Sequence, residues 1–145
     1  MAGNIIVFPT DFSARSAVAA DWAGRLTKEP GSEVHVLYVV EEPHIYTSLD
    51  MGPIPIPSVE ELTASAEKRM AAYVGEHLKK LPKVVTRVLV GRPAEAIVKY
   101  ATEKGATMIV MTTHGYSGVR HVLLGSTTEA VLRHAACPVL SIRSL

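Results

Sequence analysis

Asp11, His114, His121 and the run Ser126-Thr127-Thr128 are the residues whose types and settings could do chemistry in this chain. The run is the most informative. It closes a loop bearing Gly115, Gly118 and Gly125, which itself follows the apolar stretch at residues 108–111. Ser126-Thr127-Thr128-Glu129 reads as a helix start of the capping-box type. Strand, glycine-rich loop and helix N-terminus together hold phosphate well. Small residues let backbone N–H groups approach an anion, and the helix dipole adds roughly half a positive charge. The same segment is also compatible with a plain strand-to-helix connection, so its place in the fold has to decide.

Asp11 follows the first apolar run in PTDFS. It could accept hydrogen bonds from a ribose hydroxyl or an adenine amino group. Alternatively it, or Ser13, caps the following helix. His114 and His121 lie in the glycine loop and could line a crevice, but neither has an evident carboxylate partner to make it a general base. Arg120 is the nearest cation that could screen phosphates, though the preferred reading is an exposed, solvated arginine.

Several chemistries are excluded. No G-x-x-x-x-G-K-[ST] is present, so there is no lysine over a β/γ-phosphate, and no G-x-G-x-x-G follows the first strand. Gly115-Tyr116-Ser117-Gly118 falls short of a nucleophile elbow because Val119 stands where glycine is needed. His134 and Cys137 have a metal-like spacing without a second pair to complete a tetrahedral site. Cys137 beside Pro138 reads as a small buried apolar residue.

The bulk numbers agree with one domain over residues 1–145, able to bury about two-thirds of its unfolded surface. A net charge of +1 with interspersed signs gives no footprint for nucleic acid. No apolar run approaches the roughly 20 residues that cross a bilayer, so no membrane association is expected. The first residues, MAGNIIVFPTDF, have no secretory pattern, and a single cysteine fits a reducing compartment. The expected location is cytoplasmic.

The elements that must position these groups are legible from periodicity. Residues 5–8, 33–40, 83–90, 107–112 and 138–142 are apolar, β-branched runs. Between them lie helical patterns: residues 13–27, with Ala17, Ala20, Trp22, Ala23 and Leu26 at near-helical spacing; a long helix opened by Ser58-Val59-Glu60-Glu61; one after Gly91-Arg92-Pro93, closed by Gly105; and residues 126–135. The long helix would face inward with Leu62, Ala66, Met70, Tyr73, Val74, His77 and Leu81. A proline-rich loop spans residues 41–57. Alternating β and α with strands apolar throughout predicts an open, doubly wound, five-stranded parallel sheet with helices on both faces. A flavodoxin-like order and the order 3-2-1-4-5 both satisfy this pattern. Under the second, strands one and four are neighbours and strand order reverses between them, where ligands bind. Residues 9–11 and 112–126 then face one crevice.

These residues resemble the universal stress protein family over essentially the whole chain. The marks are VFPTDFS, LYVVEE, VLVGRPAEAIV and MTTHGYSGVRHVLLGSTTEAVLRHAACPVLSIR. The family's ATP-binding branch carries Gly, two residues, Gly, nine residues, then Gly-Ser or Gly-Thr. Here Gly115 is the second glycine, residues 116–124 are the nine, and Gly125-Ser126 closes the pattern. The resemblance implies the order 3-2-1-4-5, in the manner of the adenine nucleotide alpha hydrolase-like fold. It also implies binding of ATP or another adenine nucleotide, with Mg²⁺ as an accompanying ion bridging phosphates. Pro9, Thr10, Asp11 and Val39 would hold the adenosine end. Met111, Thr112, His114 and Gly115 would line ribose and phosphates, and Gly125, Ser126, Thr127 and Thr128 would grip phosphate oxygens. A homodimer through the last strand is implied as well.

One residue departs from the pattern. Its first glycine falls at Thr112. In a positive-φ conformation this β-branched residue would carry about 1–2 kcal/mol of strain; in extended geometry it narrows the floor beside the phosphates. Tyr116 stands where a basic residue is common in relatives. The expected role is regulation in a stress response rather than catalysis, since no residue set activates a water and any ATP hydrolysis should be slow and incidental. Two rivals stand beside it: a nucleotide-free dimeric interaction module of the same fold, with an unknown protein partner, and a small-molecule hydrolase using Ser117 or Ser13 with a nearby histidine.

Overall fold

Strands and helices alternate strictly along the computed structural model, which describes residues 3–43, 56–113 and 124–143. The strands are β1 (Ile5–Pro9), β2 (Glu33–Val40), β3 (Val84–Val90), β4 (Met108–Thr112) and β5 (Val139–Ile142). Between them run α1 (Ser16–Leu26), α2 (Val59–His77), α3 (Pro93–Lys104) and α4 (Ser126–His134). All ladders are parallel and the order is β3-β2-β1-β4-β5. Of the two orders compatible with the sequence, this is the one the family resemblance implied.

Both faces of the sheet are covered, which is why the strands read as continuous apolar runs rather than alternating ones. Ile6, Phe8, Val34, Val36 and Val110 pack with Ala19, Ala20 and Ala23 of α1 and with Met70 and Tyr73 of α2. On the opposite face Val7, Leu37, Ile109 and Met111 meet Ile97, Tyr100 and Ala101 of α3 and Val131 of α4. The chain therefore changes face between the helix that follows β1 and the helix that follows β4, opening a crevice between their C-terminal ends.

The helix boundaries follow local chemistry. In α2 the Ser58 hydroxyl accepts the Glu61 N–H at 3.1 Å, as its sequence pattern promised. Pro93 occupies the first turn of α3, where its missing N–H costs nothing, and Gly105 ends that helix in the left-handed region at φ 63°. Two expectations need correction. The buried face of α1 is Ser16, Ala19, Ala20 and Ala23, while Trp22 is exposed and lies under the Arg25 guanidinium. Small side chains let α1 sit close on the sheet, and the indole is too large for that seam. In α2 the buried positions are Ala66, Met70 and Tyr73, and Leu78, just beyond the helix, is the buried residue the periodicity overlooked.

At the N-terminal end of the strands, away from the crevice, a polar chain crosses the sheet. Lys83 Nζ donates to Glu33 Oε1 at 2.6 Å, and Glu33 Oε2 lies 2.8 Å from His35 Nε2. His35 Nδ1 lies 2.7 Å from the Tyr100 hydroxyl. The hydrogen bonds from Lys83 and His35 hold the Glu33 carboxyl below its usual range. Burial pushes the Tyr100 phenol up, with the Arg87 charge pulling the other way. An ionised Glu33 accepts from Nε2–H, and on a neutral imidazole Nδ1 then accepts the Tyr100 proton. These partners assign the His35 tautomer.

Two outcomes follow. Tyr100→Phe leaves the buried Nδ1 without a donor and should cost about 1–3 kcal/mol in urea unfolding. Because Glu33 is more acidic folded than unfolded, its pairing stabilises the fold above the ordinary carboxylate value of 4.5 and loses that contribution as pH falls through the lower folded value. Acid titration of stability should show this loss in the wild type and a smaller one in Lys83→Met.

Candidate functional site

The first wall of the crevice is the turn that leaves β1. Thr10 N–H extends the β1–β2 ladder to the Leu37 carbonyl at 2.9 Å. The chain then tightens. Thr10 Oγ1 accepts the Phe12 N–H at 2.9 Å, and Asp11 Oδ1 accepts the Ser13 N–H at 2.9 Å, an Asx-turn. Phe12 takes φ 67°, the one positive φ of a non-glycine residue among those described. That conformation costs an L-residue about 1–2 kcal/mol. Ser13 Oγ accepts the Ser16 N–H at 3.3 Å, so Ser13 caps the turn leading into α1, while Asp11 braces the turn before it.

Beneath this turn lies a buried hydroxyl cluster. Ser16 Oγ donates to the Ser13 carbonyl at 2.7 Å and lies 2.8 Å from Thr10 Oγ1 and 2.6 Å from the Tyr73 hydroxyl. Its one proton goes to the carbonyl, so Thr10 and Tyr73 must both donate to its two lone pairs. Burial pushes the Tyr73 phenol above its usual pKa, against the opposite pull of its hydrogen bond to Ser16 and of the nearby Thr10 hydroxyl, which keeps it a donor.

The second wall is the junction of β4 with α4. Thr112 ends β4 in extended geometry, so the strain that a positive φ would have brought does not arise. Its carbonyl accepts the Thr128 hydroxyl at 2.9 Å, and the Thr113 carbonyl accepts the Gly125 N–H at 2.7 Å. The helix N-terminus is thereby sewn to the strand end. This revises the capping-box reading: Gly125 is the N-cap, without a side-chain cap bond, and Ser126 is the first helical residue. The Gly125 N–H is occupied and cannot serve a ligand. The N–H groups of Ser126, Thr127 and Thr128 open the helix, where backbone donors have no intrahelical partner.

Between these walls lies a cleft of about 390 Å³, within the range of small-molecule sites. Pro9, Thr10, Asp11, Val39, Met111, Thr112, Gly125, Ser126, Thr127 and Thr128 all line it. His114 and Gly115 lie outside the described residues, as do Tyr116, Ser117, Arg120 and His121. Ser16, Leu37, Tyr38, Glu41, Pro93 and Ile97 complete the lining and escaped the sequence reading. Glu41 was within reach of it, as the first residue after a strand whose C-terminal end faces the crevice. Pro93 and Ile97 were not, because only packing brings α3 across the sheet.

Charge is distributed unevenly along the cleft. Across the order β2-β1-β4 it passes Glu41, then Asp11, then the α4 N-terminus. Three strands span about 10 Å at ordinary spacing. One end offers carboxylate acceptors and the other offers N–H groups with the positive end of a helix dipole.

The universal stress protein family model matches residues 4–143. The chain belongs to this family. It is 33% identical to universal stress protein MJ0577 of Methanocaldococcus jannaschii, over 95% of this chain and 93% of that one. The solved MJ0577 structure superposes with a TM-score of 0.77, covering 99% of this chain and 97% of that chain at 30% identity. Two more distant structures share the fold. One is a universal stress protein in complex with cAMP, with a TM-score of 0.72 at 21% identity and full coverage of both chains at 100%. The other is the Archaeoglobus fulgidus universal stress protein in complex with dAMP, with a TM-score of 0.68 at 22% identity and 97% coverage of each chain. The adenine nucleotide alpha hydrolase-like architecture expected of the sequence is therefore the observed one.

The hydroxyl cluster of this universal stress protein yields an ordering of effects. Ser16→Ala strips two buried donors of their acceptor and should cost about 2–4 kcal/mol. Tyr73→Phe leaves Thr10 still donating to Ser16 and should cost about 1 kcal/mol. Urea unfolding midpoints should rank wild type above Tyr73→Phe, and Tyr73→Phe above Ser16→Ala.

Proposed function

We propose that the cleft binds an adenine nucleotide and that this universal stress protein acts as a nucleotide-dependent regulator of a cytoplasmic stress response. The observation that carries the reading is the polarity of the cleft, with acceptors at the β2–β1 side and an α4 N-terminus at the β4 side. A nucleotide is polar in the same sense. Its base and sugar carry amino and hydroxyl donors, and its phosphate carries the negative charge. Asp11 would accept from the sugar or base while the N–H groups and hydroxyls of Ser126 and Thr127 meet phosphate oxygens. Family members whose structures were solved in complex with cAMP and dAMP support this class of ligand.

ATP is the member of that class proposed from the glycine pattern. Among the described residues no cluster of three His, Cys, Asp or Glu side chains could hold a metal. Any Mg²⁺ would bridge the phosphate oxygens of the nucleotide. The energy on offer is binding energy from a preformed turn and a helix end, which suits a sensor.

A second element of the proposal is assembly. β5 is an edge strand, and Val139, Leu140 and Ser141 are only half-buried on it. A strand of this kind pairs readily with its own copy about a two-fold axis. Light scattering should give about twice the 15.6 kDa chain mass. A constant monomer mass at all concentrations would remove the dimer from the proposal.

Titration calorimetry with AMP, ADP and ATP tests the ligand. At least one should bind, and Asp11→Ala should weaken it about 10-fold, as loss of a hydrogen bond to a charged group does. Thr112→Gly should tighten binding if the threonine crowds the phosphates. Absence of heat with all three nucleotides, in the wild type and in Thr112→Gly, would leave the dimeric interaction module as the better account.

A further inference from the structure

Phe12 stands out because its backbone and its ring make opposite demands. At φ 67° it occupies a region that phenylalanine avoids and glycine tolerates, so the turn would relax unless something held it. The ring is held on three sides. It stacks on Tyr38 with centroids 4.4 Å apart and planes 20° from parallel. It meets Tyr73 edge-on at 5.8 Å, and the Arg69 guanidinium lies 4.8 Å from its centroid. Tyr38 belongs to β2, and Arg69 and Tyr73 are one turn apart on α2. Elements remote in sequence therefore clamp a residue of the β1–α1 turn.

The clamp acts on Asp11. Phe12 is the residue spanned by the hydrogen bond from Ser13 N–H to Asp11 Oδ1, and its own N–H is tied to Thr10 Oγ1. Its backbone angle thus determines whether the Asx-turn closes, and with it where the Asp11 carboxylate stands in the cleft. A glycine at this position would permit the same turn and many others, whereas the clamped phenylalanine enforces one. We propose that Phe12 is a positioning residue: its ring, gripped by Tyr38, Tyr73 and Arg69, holds the Asp11 carboxylate in the orientation that meets the nucleoside end of the ligand. The ligand part of this statement rests on the nucleotide-binding reading above; the effect of Phe12 on the Asx-turn does not.

Two measurements on the full chain separate these. In the ligand-free protein, amide hydrogen exchange at Ser13 reports closure of the Asx-turn. Phe12→Gly should speed exchange there about 10-fold, which corresponds to about 1.4 kcal/mol, while a core amide such as Val36 keeps its rate. Phe12→Tyr, which keeps the ring, should restore the wild-type rate. Unchanged Ser13 exchange in Phe12→Gly overturns the proposal. Should Phe12→Gly fail to fold, Arg69→Met carries the same test from an exposed position: faster exchange at Ser13 supports the clamp, and an unchanged rate overturns it.

The second measurement is a double-mutant cycle with AMP as probe. Phe12→Gly should weaken AMP about 10-fold through lost preorganisation when Asp11 is present and have no further effect in Asp11→Ala. A merely structural role would cost the same in both backgrounds, so additive losses overturn the proposal, as does wild-type affinity in Phe12→Gly. Failure of the wild type to bind AMP, ADP or ATP would instead remove the nucleotide reading and leave the exchange experiment to decide the role of Phe12.

Discussion

The Ser16 hydroxyl is the constraint on which the cleft depends. One oxygen donates to the Ser13 carbonyl and accepts from Thr10 and Tyr73, with all four residues drawn together beneath the turn. Thr10 is the continuation of β1, Ser16 begins α1, and Tyr73 is the buried face of α2. Three elements are thereby registered through a single atom whose hydrogen-bonding capacity is fully used. Buried hydroxyls of this kind are specific because each alternative arrangement leaves a donor or acceptor unsatisfied, at a cost that exceeds the net gain of any one bond.

The other wall is built on a different economy of hydrogen bonds. Here the strand's own carbonyls, at Thr112 and Thr113, receive the Thr128 hydroxyl and the Gly125 N–H. A serine or threonine acting as N-cap would have quenched one of the orphan N–H groups at the start of α4. Capping by glycine leaves that end of the helix dipole facing the cleft. The Ser126 and Thr127 hydroxyls likewise have no protein partner among the described residues. Fastening the helix through the Thr128 hydroxyl and the Gly125 N–H, and not through its first-turn donors, is what makes the N-terminus serviceable to an anion.

The two ends of the sheet divide the labour. At the N-terminal edge the chain Lys83–Glu33–His35–Tyr100 is complete, each polar atom answered by another, and it bolts α3 to β2 and β2 to the approach of β3. At the C-terminal edge the strained Phe12, the Asx-turn and the helix N-terminus gather around open space. Strain and unanswered donors concentrate where a ligand could answer them.

Much of the fold was already present in the residues. Apolar runs without alternation meant strands covered on both faces, and Pro93, Gly105 and Ser58 marked helix ends through backbone chemistry that acts within a few residues. The cleft residues Pro9, Thr10, Asp11 and Thr112, and those from Gly125 to Thr128, were also legible, because strand C-terminal ends in a doubly wound sheet lie together once the strand order is known. That order could not be read from periodicity, since non-local pairing leaves no local trace; the family resemblance supplied it. What only the tertiary structure decided is who bonds to whom. Gly125 looked like a phosphate donor and is tied to Thr113. Ser126 looked like a cap and is the first helical residue. Trp22 looked like core and stands outside, because α1 approaches the sheet too closely for an indole. Phe12 looked unremarkable in PTDFS, and its left-handed backbone is accompanied by a ring set against Tyr38, Tyr73 and Arg69, contributed by β2 and α2. Periodicity records which face of an element is apolar, whereas hydrogen-bond partnership and backbone strain are set by neighbours that the chain brings together from far apart.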